Sequence, residues 1–146
     1  MDDLVKTIPH RPPFLFVDEV IELREDGISA RRTLRADEFY FEGHYPGNPI
    51  MPGVLLCESA FQTAAIYLVK KMEKDGVDMA RRTPILSRIG DAKFKNIVRP
   101  GETFTIDVTY TKTLTDFHFL KAVIKRADGK TAVMLDFVLA MIEAEA

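Results

Sequence analysis

The sequence predicts an α+β domain in which an antiparallel sheet curls around one central helix. Three observations predict this fold. The segment 54–69 is long, rich in alanine and almost wholly apolar, the chain on either side of it reads as six strands, and no repeat or low-complexity linker divides the 146 residues. A typical domain has about 150 residues, so residues 1–146 are expected to form a single domain.

Charge and cysteine content exclude several classes of protein. The 20 Lys and Arg residues nearly balance the 22 Asp and Glu residues, which argues against nucleic acid as the main partner. The single cysteine, Cys57, excludes an internal disulfide and a multi-cysteine zinc site. The start, Met1-Asp2-Asp3, does not resemble a secretory signal, and no apolar run is long enough to cross a membrane. We therefore expect a cytoplasmic protein without membrane contact.

The N-terminal third predicts a hairpin followed by a shaped loop. Residues 14–23 and 28–34 read as two strands, and Asp26-Gly27 is the turn signal between them. The loop, 36–53, contains a cluster of residues that restrict or relax the backbone: Gly43, Pro46, Gly47, Pro49, Pro52 and Gly53. Pro52 is well placed to open a helix, where its missing N–H is not needed.

The helix predicted over 54–69 is apolar nearly all round, which is typical of a helix surrounded by protein. Its polar residues are Glu58, Ser59, Gln62 and Thr63. A charged tail, 70–75, ends at Gly76, as in a helix that emerges into solvent. The remaining chain predicts four strands, at 84–97, 104–111, 117–126 and 131–142, with a hairpin turn at Asp128-Gly129.

One stretch, 43–62, carries the residues suited to chemistry. His44 lies in the rigid loop, and the N–H groups of Gly53 and Val54 at the helix start form a positive pole that can hold an oxyanion. Glu58 follows in the apolar helix, where burial raises the pKa of a carboxyl and suits it to proton transfer. Gln62 lies one turn later on the same face.

Simpler readings of these residues stay open at this point. A lone histidine in a loop of Gly and Pro is more often structural than catalytic. A glutamate in the first turns of a helix can simply complement the helix dipole. The combination of His44, a helix start and an apolar-embedded Glu58 within 15 residues makes a proton-transfer site an alternative to these structural roles on physical grounds.

The segment 43–54, Gly-His-Tyr-Pro-Gly-Asn-Pro-Ile-Met-Pro-Gly-Val, followed by Glu58 and Gln62, resembles a known signature. It is similar to that of the (3R)-hydroxyacyl-[acyl-carrier-protein] dehydratases of type II fatty-acid synthesis. Further similarity lies in the segments 8–18, 91–94, 99–102 and 128–130, so it covers essentially the whole chain. Glu58 and the short chain resemble the dehydratase-only branch, since the dehydratase/isomerase branch carries Asp at this position.

The resemblance implies a hot-dog fold and a homodimer as the smallest active unit, with a trimer of dimers as a larger assembly that the family often forms. It implies that His44 and Glu58 face each other across the dimer interface. The substrate would be an acyl thioester on the phosphopantetheine of an acyl carrier protein, with no metal and no other cofactor. Tyr45 and Phe61 depart from the usual family residues, and these departures bear on the acyl-chain length and on whether the pathway is specialised.

The reaction implied is loss of water from a 3-hydroxyacyl thioester to give a trans-2-enoyl thioester. His44 would take the C2 proton and Glu58 would help the hydroxyl to leave. Gly53 and Val54 would meet the charge on the thioester oxygen, and Gln62 would orient Glu58. A basic run is either a solvated face or the dock for the acidic carrier protein: Arg88, Lys93, Lys95 and Arg99.

Two other functions compete with this one. A hot-dog acyl-thioester hydrolase would share the fold and the acyl substrate, and a non-catalytic acyl-binding subunit would need no buried glutamate. Other candidate residues have simpler roles. We expect His10 to cap or pack the N-terminal segment, His118 to fill space in a strand, and Cys57 to behave as a small hydrophobic residue.

Overall fold

A 22-residue helix, α1 (Gly53–Lys74), packs on a six-stranded antiparallel sheet in the computed structural model, which describes residues 2–143. The sheet order is β1-β2-β4-β5-β6-β3, and α1 contacts β2 through β6. The strands are β1 (Glu19–Arg24), β2 (Gly27–Thr33), β3 (Arg82–Phe94), β4 (Thr103–Leu114), β5 (Phe117–Arg126) and β6 (Thr131–Glu143). Two strands, a loop, a helix and four strands follow one another as predicted, and the fold is the hot-dog fold.

The apolar helix is buried on all sides, as its composition predicts. Every residue from Leu56 to Val69 except Glu58 is buried. The two small polar residues inside this span satisfy their hydroxyl groups within the helix, because Ser59 donates to the Leu55 carbonyl at 3.3 Å and Thr63 donates to the Ser59 carbonyl at 2.8 Å. Glu58 therefore stands out as the one side chain of this span that is directed toward a boundary of the core.

The sheet turns one apolar face toward the helix. On β4 the buried residues Phe104, Ile106 and Val108 alternate with exposed threonine and aspartate, which confirms the predicted period of two. Leu120, Ala122 and Ile124 continue this face on β5. The buried side chains of β4 and β5, together with those of α1, belong to one hydrophobic core.

The first predicted strand, 14–23, is shorter than expected. Sheet pairing starts only where the Asp18 N–H donates to the Arg31 carbonyl, at 3.0 Å, and β1 begins at Glu19. Before that point the backbone of Phe14 and Phe16 is bonded to the Gln62 side chain of α1 instead of to a strand. An amide on the helix thus replaces the neighbouring strand for this apolar segment.

A buried ion pair ties the hairpin to the loop before the helix. The Arg32 guanidinium on β2 donates to Glu38 Oε2 at 2.5 Å and to Asp18 Oδ1 at 2.9 Å. The Tyr40 hydroxyl donates to the same Glu38 oxygen at 2.9 Å. Arg32 also lies over the Phe16 ring, 5.6 Å from its centroid. Because Arg32 and Glu38 are both buried, each relies on the other for charge compensation.

Strand β3 forms one edge of the sheet and is 13 residues long. Its pairing ends earlier than the predicted 84–97 because the Lys95 and Asn96 N–H groups both turn to the Ala132 carbonyl. Large apolar side chains on this edge strand are exposed: Ile85, Leu86, Ile89 and Phe94. A long apolar edge of this kind is rare on a monomer, because it invites pairing with another chain.

Candidate functional site

The loop before α1 is shaped by a tight turn at its centre. The Asn48 N–H donates to the Tyr45 carbonyl at 2.9 Å, with Pro46 and Gly47 as the two central residues. Gly47 has φ +84°, which is the conformation that a type II turn requires at this place. Tyr45 has φ +59° although it is not a glycine, so the backbone beside His44 is strained.

The imidazole of His44 is held by the same loop. Its Nδ1 lies 2.9 Å from the Ile50 carbonyl oxygen. Since a carbonyl can only accept a hydrogen bond, Nδ1 carries the hydrogen and Nε2 is left unprotonated in the neutral ring. The Tyr45 ring packs edge-on against the imidazole with centroids 4.8 Å apart. His44 therefore has a fixed orientation and one nitrogen available as a base.

Two bonds fix the loop to the connection between β3 and β4. The Met51 N–H donates to the Val98 carbonyl at 2.7 Å. The Arg99 guanidinium donates to the Asn48 side-chain oxygen at 2.5 Å. Both the His44 loop and the helix that follows it are thereby placed next to the end of β3.

The first turn of α1 offers backbone donors. The Pro52 carbonyl accepts from the N–H groups of Leu55 and Leu56, at 3.0 and 3.1 Å. Within residues 2–143 the N–H groups of Gly53 and Val54 have no acceptor. A side chain at Gly53 would come within 2.8 Å of the Phe94 ring, so glycine allows the edge strand to approach this turn closely.

Glu58 lies one to two turns into the helix with its side chain 22% exposed. Gln62 Nε2 donates to Glu58 Oε2 at 3.0 Å. Burial raises the pKa of the Glu58 carboxyl above its usual 4.5, and the Gln62 N–H, which favours the charged form, offsets part of that rise. The carboxyl is therefore disposed to hold a proton nearer neutrality than an exposed glutamate would.

Gln62 joins the helix to the N-terminal segment. It is 1% exposed, and its Oε1 accepts from the Phe16 N–H at 2.8 Å while its Nε2 also donates to the Phe14 carbonyl at 3.2 Å. A side-chain amide whose oxygen and nitrogen are both hydrogen-bonded in this way cannot rotate without breaking its hydrogen bonds to the backbone. Gln62 thus lies where the predicted orienting role toward Glu58 would place it, and that role stays a prediction.

His10 belongs to the same cluster, which sequence reasoning did not anticipate. Its Nε2 lies 3.7 Å from Glu58 Oε2, and its side chain is 30% exposed. Burial, and then the neighbouring charge of Arg11, lower the pKa of His10, so the contact joins a neutral imidazole to the carboxyl. His10 and Glu58 are 48 residues apart in sequence, and no local pattern signals their contact.

The structure thus unites Glu58, Gln62 and His10 but does not join them to His44. Among the described residues, the imidazole of His44 makes no hydrogen bond or ion pair with Glu58. Cys57 is buried, and burial raises its thiol pKa to about 11, which matches the expected role as a small hydrophobic residue. His118 is also buried, with Nδ1 2.9 Å from the Thr113 hydroxyl, on β5 and away from this cluster.

The four basic residues expected to dock a carrier protein lie along β3 and the connection after it. Arg88, Lys93 and Lys95 are exposed, whereas Arg99 is half-buried and bonded to Asn48. Arg88 borders a depression of about 290 Å³ that Lys112 also lines. Only Arg99 directly contacts the His44 loop.

Neither a metal cluster nor a spanning helix occurs in the part of the chain that the structure describes. No three His, Cys, Asp or Glu side chains come together there in an arrangement that could hold a metal ion. No helix between residues 2 and 143 has the length and apolar character needed to cross a bilayer.

Proteins similar in sequence to this chain are named as dehydratases. A dehydratase of Oenococcus oeni, 3-hydroxyacyl-[acyl-carrier-protein] dehydratase FabZ, is 38% identical over 137 residues, which cover 93% of this chain and 94% of that protein. The FabZ protein of Ligilactobacillus salivarius is 40% identical over 131 residues, covering 89% of each chain.

Solved structures share the fold at low sequence identity. The dehydratase heterocomplex ApeI:P from Xenorhabdus doucetiae matches with a TM-score of 0.80 at 14% identity, covering 96% of this chain and 91% of that one. The E. coli PaaI protein from the phenylacetic acid degradation operon matches with a TM-score of 0.65 at 16% identity, covering 88% and 80%.

Residues 8–137 match the FabA-like domain family. This match spans most of the chain and includes the His44 loop, the helix and the cluster around Glu58. It confirms the family resemblance drawn from the segment 43–54. The chain is a member of the FabA-like domain family.

Proposed function

We propose that this protein removes water from (3R)-3-hydroxyacyl chains on an acyl carrier protein, giving trans-2-enoyl thioesters. The FabZ relatives, named for this activity, support the proposal at 34–42% identity. The observation that carries it is the carboxyl of Glu58, partly buried in an apolar helix and held by Gln62 at 3.0 Å. Burying a carboxyl in apolar surroundings is costly, and such groups are concentrated at functional sites.

The reaction needs one base and one acid, and the two candidate side chains are suited to these tasks. His44 Nε2 is the base that takes the C2 proton, because Nδ1 already donates to Ile50. Glu58 is the acid that protonates the departing C3 hydroxyl, because burial raises its pKa. The electron pair of the C2–H bond first moves onto the thioester and then forms the C2=C3 double bond when the C3–O bond breaks.

The helix start stabilises the charge that develops between these steps. Loss of the C2 proton moves negative charge onto the thioester oxygen. The N–H groups of Gly53 and Val54 are without acceptors among the described residues, and they add to the positive end of the α1 dipole. Both transfers use side chains of the protein, and phosphopantetheine arrives with the carrier protein as part of the substrate.

A second copy of the chain completes the site in this proposal. Glu58 makes no hydrogen bond or ion pair with His44 within one chain, and the edge strand β3 exposes several large apolar side chains. Antiparallel pairing of two β3 edges would continue the sheet and cover Ile89 and its neighbours. The His44 loop and the helix start both lie at the Phe94 end of β3. A two-fold axis near that end would bring the His44 loop of one copy to the helix of the other.

Carrier docking and location complete the proposal. An acidic carrier protein would be attracted to the exposed positive charges of Arg88, Lys93 and Lys95. Arg99 would fix the His44 loop through Asn48 as well as face the carrier. We place the reaction in the cytoplasm, as the family resemblance implies.

The reverse reaction provides the test. Hydration of enoyl thioesters from crotonyl to hexadecenoyl is followed by the loss of ultraviolet absorbance of the conjugated enone. His44→Ala and Glu58→Gln should each lower kcat/KM by about 10²–10⁴. Near wild-type hydration by either variant would contradict the assignment of that residue.

The same assay separates the competing functions. Release of free thiol from an acyl thioester would identify a hydrolase instead. Acyl binding without turnover would identify a non-catalytic subunit. Formation of a cis-3-enoyl product would contradict the dehydratase-only assignment.

A further inference from the structure

Two polar neighbours of Glu58 lie next to the same carboxylate oxygen. Gln62 Nε2 donates to Oε2 at 3.0 Å, and His10 Nε2 lies 3.7 Å from that oxygen. The other oxygen, Oε1, has no hydrogen bond to any residue between 2 and 143. The two oxygens of Glu58 therefore have different surroundings, one held by the protein and one left for another molecule.

The surroundings of His10 decide which nitrogen carries its hydrogen. Nδ1 is buried and has no hydrogen-bond partner among the described residues. A hydrogen on Nδ1 would be a buried donor without an acceptor, at a cost of about 1–3 kcal/mol. A hydrogen on Nε2 faces the carboxyl of Glu58 instead. We infer that the neutral ring is the Nε2–H tautomer, whose N–H lies on the side of Oε2 at 3.7 Å, an electrostatic contact longer than a hydrogen bond.

The backbone around His10 is fixed to the helix. The Arg11 guanidinium donates to the Ile8 carbonyl at 2.7 Å and to the His10 carbonyl at 2.6 Å, which closes the segment into a compact turn. A few residues later, Gln62 binds the backbone at Phe14 and Phe16. One amide thus sets both the carboxyl of Glu58 and the segment that carries His10.

We propose that His10 is a positioning residue that, together with Gln62, holds Oε2 of Glu58, so that Oε1 is the oxygen that exchanges the proton with the substrate. This inference rests on the proposed function. In dehydration the proton on Oε1 passes to the C3 hydroxyl, which leaves as water, while His44 of the second copy takes the C2 proton. In hydration Oε1 accepts a proton from the attacking water and His44 returns one to C2.

The pH dependence of hydration reports this arrangement. Hydration needs the charged form of Glu58, and an N–H dipole close to the carboxylate favours that form. Removing the His10 donor should therefore raise the pKa of Glu58 and move the acid limb of kcat/KM to higher pH. The charged group beside His10 is Arg11, and in the proposed dimer His44 of the second copy also faces the pair.

The experiment compares the pH profiles of crotonyl thioester hydration for the full-length protein and three variants. His10→Phe should move the acid limb of kcat/KM about one pH unit higher. At a pH on this limb, kcat/KM should therefore fall about tenfold. His10→Gln, which keeps an N–H donor, should lie between His10→Phe and wild type. His118→Gln alters another buried histidine with an unpartnered nitrogen and should leave the acid limb in place.

An acid limb that is unmoved in a folded His10→Phe protein would overturn the inference. The wild-type protein provides a test that needs no variant, because long-range ¹H–¹⁵N spectra identify the tautomer of His10. The Nε2–H form supports the inference and the Nδ1–H form overturns it. Glu58→Gln separates this inference from the proposed function: full activity in that variant defeats both, whereas loss there with a normal His10→Phe profile defeats only the role of His10.

Discussion

Gln62 donates to the carboxyl of Glu58 at 3.0 Å from one helical turn away, while its own oxygen accepts from the backbone of Phe16 at 2.8 Å. In the proposed mechanism the helix therefore carries both the reacting carboxyl and the amide that orients it. The same amide replaces a neighbouring strand for the N-terminal segment, which brings His10 to Glu58. Positioning of Glu58 and folding of the N-terminal segment are thus linked through one buried side chain.

The raised pKa of Glu58 predicts a pH-dependent effect on stability. Below pH 4.5, the ordinary pKa of the group, Glu58 is protonated in both the folded and the unfolded state. As pH rises from 4.5 through the raised pKa, the unfolded state loses its proton first, so the free energy of unfolding of the wild type falls. Glu58→Gln has no proton to lose and should be more stable than wild type at neutral pH.

Thermal melts at fixed protein concentration, taken at pH 4 to 8, check this prediction. The Tm of Glu58→Gln minus that of wild type should grow with pH, by about 2–4 °C for each kcal/mol of difference. Glu73→Gln, an exposed change near the end of the same helix, serves as the control. A Tm difference for Glu58→Gln that shrinks as pH rises would contradict the raised pKa.

Full hydration activity should require glycine at position 53, because the ring of Phe94 lies against it. A methyl group at Gly53 would come within 2.8 Å of that ring, so Gly53→Ala should push the ring and the edge strand away from the helix start. Displacement of a reacting group by about 1 Å can lower the rate by about 10²-fold. Hydration kinetics should show this loss of kcat/KM.

The double variant Gly53→Ala/Phe94→Ala tests the cause. If the clash is responsible, removing the ring restores part of the lost activity, measured against Phe94→Ala alone. Additive losses would show that the methyl group acts in another way.

The buried Arg32–Glu38 pair should be important for stability and not for the chemical step. Glu38→Ala leaves the Arg32 charge without its buried partner, so we expect a loss of about 3–5 kcal/mol in the free energy of unfolding. Urea unfolding at fixed protein concentration measures this loss. Arg32→Met/Glu38→Leu, which removes both charges, should recover most of it, and a double variant as unstable as Glu38→Ala would refute the explanation.

Lys95 offers a test of carrier docking that leaves the site intact. It is exposed just beyond β3, whereas Arg99 also holds Asn48. Lys95→Glu should raise KM for a carrier-linked substrate roughly tenfold at low salt and less at high salt. The KM for a small thioester should not change, and Lys125→Glu on β5 is the matched control. Equal effects on both substrates would argue against docking at Lys95.

The sequence predicted the helix and the succession of strands along the chain, because local patterns determine them. The apolar run that begins at Val54 is too long and too rich in alanine for a strand, and the alternation around Phe104 has the period of a half-buried strand. The early end of β3 and the late start of the first predicted strand depend on which groups meet in space, and no local pattern carries that information.

The candidate site also combines features that local sequence patterns indicate with contacts that only the folded chain creates. His44 and Glu58 were identified by the motif around Gly43 to Gly53 and by the rarity of a carboxyl in an apolar helix. The contact of His10 with Glu58 spans 48 residues, and the Arg32–Glu38 pair is buried only because the loop folds back over β2. Contacts of this kind arise from tertiary packing, so the sequence gives only the residue types.

The central claim is that each active site takes His44 from one copy and Glu58 from the other. Mixing His44→Ala and Glu58→Gln proteins, each nearly inactive alone, tests it most directly once subunit exchange has been verified with labelled chains. Random exchange gives one intact site in half of the dimers, so hydration activity should recover to about a quarter of the wild-type value. Verified exchange with no recovery would contradict a site shared between two copies.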